Sequence, residues 1–145
     1  AGFADLLYLD HEGKRIEEVG SANLCAVKDG RLLVADSASI LPGITRDSVE
    51  TIAREALGME TERGGLGLDR VLGRGAWEAE GPADEVFCTG TAAIVSPIGR
   101  ITHRGRETAF GSGEPGPVTR RLHDELDGIQ TGRLPDARGW TTFVD

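Results

Sequence analysis

Glu18, Ile44-Thr45 and Gly90-Thr91-Ala92 are the places where this sequence could do chemistry. Glu17 and Glu18 are neighbours in a stretch that reads as a strand, so their carboxylates face opposite sides and only one, taken as an inward Glu18, can serve a site. As bare residues the pair reads first as a structural carboxylate beside a solvent-facing one. Ile44-Thr45 opens a helix directly after Gly43, where free N–H groups and the positive end of the helix dipole suit an anion. Thr89-Gly90-Thr91 lies between two apolar runs, Glu85 to Cys88 and Ala92 to Val95. Gly90 permits close backbone approach, and successive N–H groups in such a corner make an anion-binding nest. The same corner also fits an ordinary tight turn with hydroxyls closing local hydrogen bonds. Combined, the three features supply one negative charge and two anion-binding ends.

The elements that must position them follow from pattern. Asp5 to Leu9 reads as a short strand turned back by Asp10-His11-Glu12-Gly13-Lys14. Ile16 to Val27 reads as one strand interrupted at Gly20-Ser21 by a bulge or a close ligand approach. Asp29-Gly30 signals a tight hairpin turn into Arg31 to Val34. Past the loop from Ala35 to Gly43 the period changes: Val49, Ile52, Ala53, Ala56 and Leu57 lie on one helical face, and Gly58 stops it. Met59 to Gly65 reads as an edge strand, Leu68 to Leu72 as a short helix and Gly73 to Pro82 as a loop. Strands follow over Ile101 to His103 and Glu107 to Phe110. From Pro117, a stripe of Val118, Leu122, Leu126 and Ile129 marks a second helix ended by Gly132, and Trp140 to Val144 reads as a final strand.

Composition narrows the function. A chain of 145 residues fits one domain with a single substantial core. Its 24 acidic against 16 basic residues, net charge -8, argue against a nucleic-acid partner. No apolar run approaches the roughly 18 residues of a membrane span, and the start, Ala1-Gly2-Phe3, has neither Met nor a basic leader, so the chain reads as a soluble piece of something longer. Cys25 and Cys88 read as buried free thiols in a reducing cytoplasm, with a disulfide as the alternative. His11, His103 and His123 stand at no metal-ligand spacing, and no metal site is expected. Gly111-Ser112-Gly113-Glu114-Pro115-Gly116 matches G-x-G-x-x-G, but the strand before it is short and polar and Pro115 removes a backbone donor, so it reads as a helix-entry loop. Neither a P-loop nor a nucleophile elbow occurs.

One carboxylate and two anion-binding ends are what pyridoxal phosphate needs: donors for its phosphate, and an acid that keeps its ring nitrogen protonated. The sequence also resembles the branched-chain amino acid aminotransferases of the fold-type IV pyridoxal-phosphate enzymes. Glu18-Val19-Gly20-Ser21-Ala22-Asn23 is similar to their E-V-G-T-x-N segment. Asp29-Gly30 with Ser39-Ile40-Leu41-Pro42-Gly43-Ile44-Thr45-Arg46-Asp47-Ser48 resembles D-G…S-I-L-P-G-I-T-R-D-S. Gly90-Thr91-Ala92 with Ser96-Pro97, then Gly116-Pro117-Val118-Thr119, Ile129-Gln130-x-Gly132 and Gly139-Trp140, resemble later family elements in order.

The resemblance implies an α/β fold: one domain of mixed and antiparallel sheets forming a pseudo-barrel with packed helices, the C-terminal domain of such an enzyme. It implies that Glu18 pairs with the pyridine nitrogen, that the Ile44 and Thr45 amides and the Thr91 hydroxyl hold the phosphate, and that the Thr91 and Ala92 amides bind the substrate carboxylate. Ser21 stands where relatives often have Thr lining the side-chain pocket. A Cys-x-x-Cys pair of some relatives is replaced by Ala93 and Ser96, so thiol regulation of that kind is not expected. The family's Schiff-base lysine, a tyrosine and a phosphate-binding arginine lie upstream of E-V-G; Lys14 and Lys28 are not in that context. The fragment is therefore expected to be inactive alone and to need its N-terminal domain. The expected substrates are Leu, Ile or Val with 2-oxoglutarate, and the expected assembly is a homodimer. The rivals are a D-amino acid aminotransferase or aminodeoxychorismate lyase domain, and a non-catalytic binding or assembly domain.

Overall fold

In a computed structural model of the chain, residues 2–92, 94–142 and 144 are described. The order of elements is β1 (Leu7–Leu9), β2 (Arg15–Val19), β3 (Ala22–Lys28), β4 (Arg31–Ala35), α1 (Ile44–Glu55), β5 (Thr61–Gly64), β6 (Leu66–Gly67), α2 (Leu68–Leu72), a 3-10 helix (Gly75–Glu80), β7 (Glu85–Gly90), β8 (Ile94–Pro97), β9 (Arg100–His103), β10 (Arg106–Ala109) and α3 (Pro117–Gln130). Strands β1 to β8 form one sheet; β9 and β10 form a separate hairpin. Among the described residues only the β4–β5 pairing is parallel, so the main sheet is mixed.

The centre of the sheet is β3. It pairs with β7 from Asn23 to Val27, with β2 at Ala22 and Asn23, and with β4 from Cys25 to Lys28. A strand has two edges, so β2 and β4 must share the edge opposite β7 and splay apart. Burial on both faces explains the unbroken apolar run of β3. Cys25 and Val27 pack with Val34, Phe87, Val95 and residues of α1 and α3, whereas Leu24 and Ala26 pack with Ile16, Leu66, α2 residues, Val86 and Phe110. Among the described residues no helix is long and apolar enough to cross a membrane.

The second helical stripe, the Asp29-Gly30 turn and the short α2 lie where the sequence put them, whereas the first helix ends at Glu55, so that Ala56, which is exposed, and Leu57 fall beyond it. Four further expectations change. Gly20-Ser21 is no bulge within a strand but the turn of the β2–β3 hairpin: Val19 faces Ala22, and Gly20 takes φ +54°, the left-handed region glycine enters without strain. The expected Thr89-Gly90-Thr91 corner moves along the chain, because Thr89 and Gly90 continue the ladder to Val95 and Ile94. The turn therefore begins at Thr91-Ala92, with Ala93 outside the described residues. Gly73 to Pro82 contains the 3-10 helix. Trp140, Thr141, Thr142 and Val144 form no strand, since Asp136 takes the Thr141 N–H (2.7 Å) and hydroxyl (2.9 Å) that a ladder or its surroundings would use; Phe143 lies outside the described residues.

Candidate functional site

The register of three strands assembles the site. Glu18 on β2 faces Asn23 on β3, which faces Thr89 on β7. One step further, a side chain on Gly90 would begin 3.5 Å from the Ala22 Cβ. Ser21, Thr91 and Ala92 thus lie beyond the same end of the sheet, all exposed.

The segment that delivers α1 is fixed to this end by side chains. Glu18 Oε1 accepts the Leu41 N–H at 3.3 Å, and the Asn23 amide donates to the Leu41 carbonyl at 3.1 Å. The first α1 residues follow immediately. Gly43 is the N-cap and offers no side-chain cap, and no described side chain accepts the N–H of Ile44 or Thr45. Such a terminus carries about half a positive charge and unsatisfied donors. The Ile44 side chain is 84% exposed and that of Leu41 76% exposed, so the way to these amides is open.

Below this terminus lies a charged layer. Arg46, 1% exposed, donates to Asp36 Oδ1 at 3.1 Å and to the Ala35 carbonyl at 3.4 Å, while its Nε lies 3.5 Å from Asp47 Oδ1 and makes no hydrogen bond among the described residues. Arg63 joins Asp47 at 2.7 Å and also pairs with Glu50. The layer ties α1 to β4 and β5 by pairing two guanidinium groups with the carboxylates of Asp36, Asp47 and Glu50 under the helix start. In the neighbouring core, burial pushes the Cys25 thiol up to about 12 and raises that of Cys88 as well; both are free. An inert Cys25 is the consequence, whereas Cys88 is half-buried rather than buried as the sequence suggested.

The two lysines are elsewhere. Lys28 ends β3, five residues and therefore about 16 Å from Asn23. Its ammonium is occupied by the Glu80 and Pro82 carbonyls at 2.6 and 2.9 Å. Lys14 pairs with Glu12 at 2.9 Å on the surface. No group of three or more His, Cys, Asp or Glu side chains is placed to hold a metal among the described residues.

A cavity of about 300 Å³ lies at the opposite end of β7, bordered by Glu85, Phe110, Pro115 and Pro117. There Glu85, buried, accepts the N–H groups of Val118 (3.0 Å) and Thr119 (2.8 Å) and the Thr119 hydroxyl (2.6 Å). The glycine-rich loop at Gly111 to Gly116 thus leads into a helix whose anion position is already filled by the protein itself. Sequence reasoning missed Asn23 and Glu85, although an amide and a carboxylate bordering apolar strand runs are the available signal: buried polar groups persist only when partnered.

The Glu18 carboxylate, the uncapped start of α1 and the Thr91-Ala92 turn lie at one end of the sheet, and comparison with known proteins gives the class. A family model described as Amino-transferase class IV matches residues 1–101, and the chain belongs to that family. It is 42% identical over 146 aligned positions to a branched-chain-amino-acid aminotransferase of Haemophilus influenzae, covering 99% of this chain and 40% of that protein. A probable branched-chain-amino-acid aminotransferase of Staphylococcus epidermidis is 41% identical over 145 positions, with 99% and 39% covered. Among solved structures, the branched-chain amino acid aminotransferase of Escherichia coli superimposes with a TM-score of 0.78 at 35% identity, covering 96% of this chain and 42% of that one. The corresponding enzyme of Thermobaculum terrenum in its PLP form also gives 0.78 at 35%, covering 97% and 42%. The chain spans about two fifths of the length of these relatives.

Proposed function

We propose that this chain is the C-terminal, cofactor-binding domain of a branched-chain amino acid aminotransferase that takes Leu, Ile or Val and 2-oxoglutarate. The observation that carries the assignment is the uncapped start of α1 held beside Glu18 through the two ends of Leu41. The donor set fits pyridoxal phosphate: the free amides of Ile44 and Thr45 and the Thr91 hydroxyl suit a phosphate. Glu18 spends Oε1 on Leu41, while Oε2 has no partner among the described residues and suits a protonated ring nitrogen. When bound, the cofactor supplies a ring that withdraws electrons from the amino acid's alpha carbon. Glu18 holds the proton on the ring nitrogen. The Thr91 and Ala92 amides orient the substrate carboxylate, and Ser21 borders the space for its side chain. The names of the relatives favour this assignment over a D-amino acid aminotransferase or a lyase of the same fold.

The covalent lysine is assigned to chain upstream of residues 1–145, with an N-terminal domain as a further part of the complete enzyme. A homodimer in a reducing cytoplasm completes the assignment. Joining the upstream domain tests it: valine-dependent turnover with 2-oxoglutarate is expected, and its absence in a folded, cofactor-bearing protein overturns the enzyme. In that protein Glu18→Ala should lower kcat by about a hundredfold or more, since the ring nitrogen loses its acid partner. Unchanged kinetics would remove Glu18 from the site.

A further inference from the structure

Asn23 stands at the junction of every element in the candidate site. It is 6% exposed, opposite Glu18 on one side and Thr89, 1% exposed, on the other. A buried amide inside an apolar strand costs stability unless its polar atoms are used. Its nitrogen donates to the Leu41 carbonyl at 3.1 Å. Since a carbonyl can only accept, the NH₂ must face Leu41 and Oδ1 must face away from it. Oδ1 lies against Gly43, where any Cβ would overlap it. The backbone of Gly43, φ -74° and ψ 129°, is open to every residue, so closeness to Asn23 rather than dihedral freedom demands glycine there.

Leu41 is therefore held at both polar ends, its N–H by Glu18 and its C=O by Asn23, and two residues later the helix cap rests on the same amide. The entry angle of α1 is set at these contacts. We infer, on the cofactor assignment proposed for this site, that Asn23 is a positioning residue: through Leu41 and Gly43 it aims the Ile44 and Thr45 amides at the cofactor phosphate while keeping them in register with Glu18. It does not touch the cofactor itself. Removing it takes the hold from the Leu41 carbonyl and the support from Gly43, loosening the aim of the helix start, but leaves the Glu18 carboxylate on β2. Binding that depends on the phosphate should suffer, and binding that depends on the ring should not.

The test compares dissociation constants for pyridoxal 5′-phosphate and pyridoxal, by absorbance titration of the full-length protein. The preference for the phosphorylated form should fall about tenfold in Asn23→Ala and in Gly43→Ala, the loss of a well-aimed hydrogen bond or two. The double variant should lose little more than either single, because the alanine at 43 no longer meets an amide. A purely structural asparagine would lower melting temperature and weaken both ligands alike, leaving the ratio unchanged, and that result overturns the inference. So does strict additivity in the double variant. Should Asn23→Ala fail to fold, Asn23→Ser and Gly43→Ala carry the same comparison. A wild-type protein with no preference for the phosphorylated form overturns the cofactor assignment itself, and the positioning role with it.

Discussion

The two long helices start in the same way and end up doing opposite things. Both have glycine at the N-cap, Gly43 before α1 and Gly116 before α3, and at both a Cβ would overlap a side chain rising from the central sheet. Under α3 that side chain is Glu85, whose carboxylate takes two first-turn amides and a hydroxyl. Under α1 it is Asn23, which reaches past the helix to Leu41 and leaves the first-turn amides alone. A carboxylate there would have satisfied the helix; an amide leaves it hungry for an anion. The difference teaches that a glycine-led helix start signals a binding site only when the sheet beneath withholds its own charge.

The sharpest way to break this contrast is to remove each carboxylate in turn. Glu85→Ala leaves three donors, two of them helix amides, with no acceptor in a buried setting and should destabilise the chain by roughly 2–4 kcal/mol in urea unfolding. Glu18 accepts a single 3.3 Å bond and is only half-buried. Glu18→Ala should therefore cost less than about 1 kcal/mol. Equal losses would mean that Glu18 is as structural as Glu85.

How much of this was legible in the sequence depends on chain distance. The stripe Val118 to Ile129, the first stripe as far as Ala53, the Asp29-Gly30 turn and the helix start at Ile44-Thr45 are local patterns, and the structure keeps them; Ala56 and Leu57 fall past the end of α1. So is the rejection of Gly111 to Gly116, although for a partly different reason. The sequence offered Pro115, whereas the decisive group is Glu85, 33 positions from Val118. The bulge expected at Gly20-Ser21 and the corner expected at Thr89 failed because a ladder's register is a property of two strands. Ile16 to Val27 alone cannot say that Val19 folds back on Ala22. Asn23 was quoted only as part of a motif, since its partners Leu41 and Gly43 lie across a loop. The grouping of Glu18 with α1 is direct in the structure; Thr91 and Ala92 join it by position at the sheet end, beside a turn that includes Ala93.

A smaller effect asks the helices themselves. Inorganic phosphate at millimolar concentration should shift the amide resonances of Ile44 and Thr45 in a ¹H–¹⁵N spectrum and leave those of Val118 and Thr119 in place, since the latter already donate to Glu85. Movement of both pairs, or of the α3 pair alone, would abolish the distinction.

The smallest effect carries the cleanest sign. A glutamate replacing an exposed residue at the first helical position interacts with the dipole, and comparison with glutamine at the same place isolates the charge. At α1, Ile44→Glu should be more stable than Ile44→Gln by about 0.3–0.5 kcal/mol, the low end of the usual range because Glu18 lies near. At α3, Pro117→Glu should be no more stable than Pro117→Gln, because Glu85 already supplies the negative charge and repels a second. Both differences should shrink in high salt, which screens exposed charges. The stabilised α1 variant should also lose its response to phosphate, since the added carboxylate occupies the field that the anion would use. The favourable charge at α1 thus conflicts with anion binding. A gain at α3 equal to that at α1 would show that Glu85 does not satisfy its helix, and the two helix starts would then be alike.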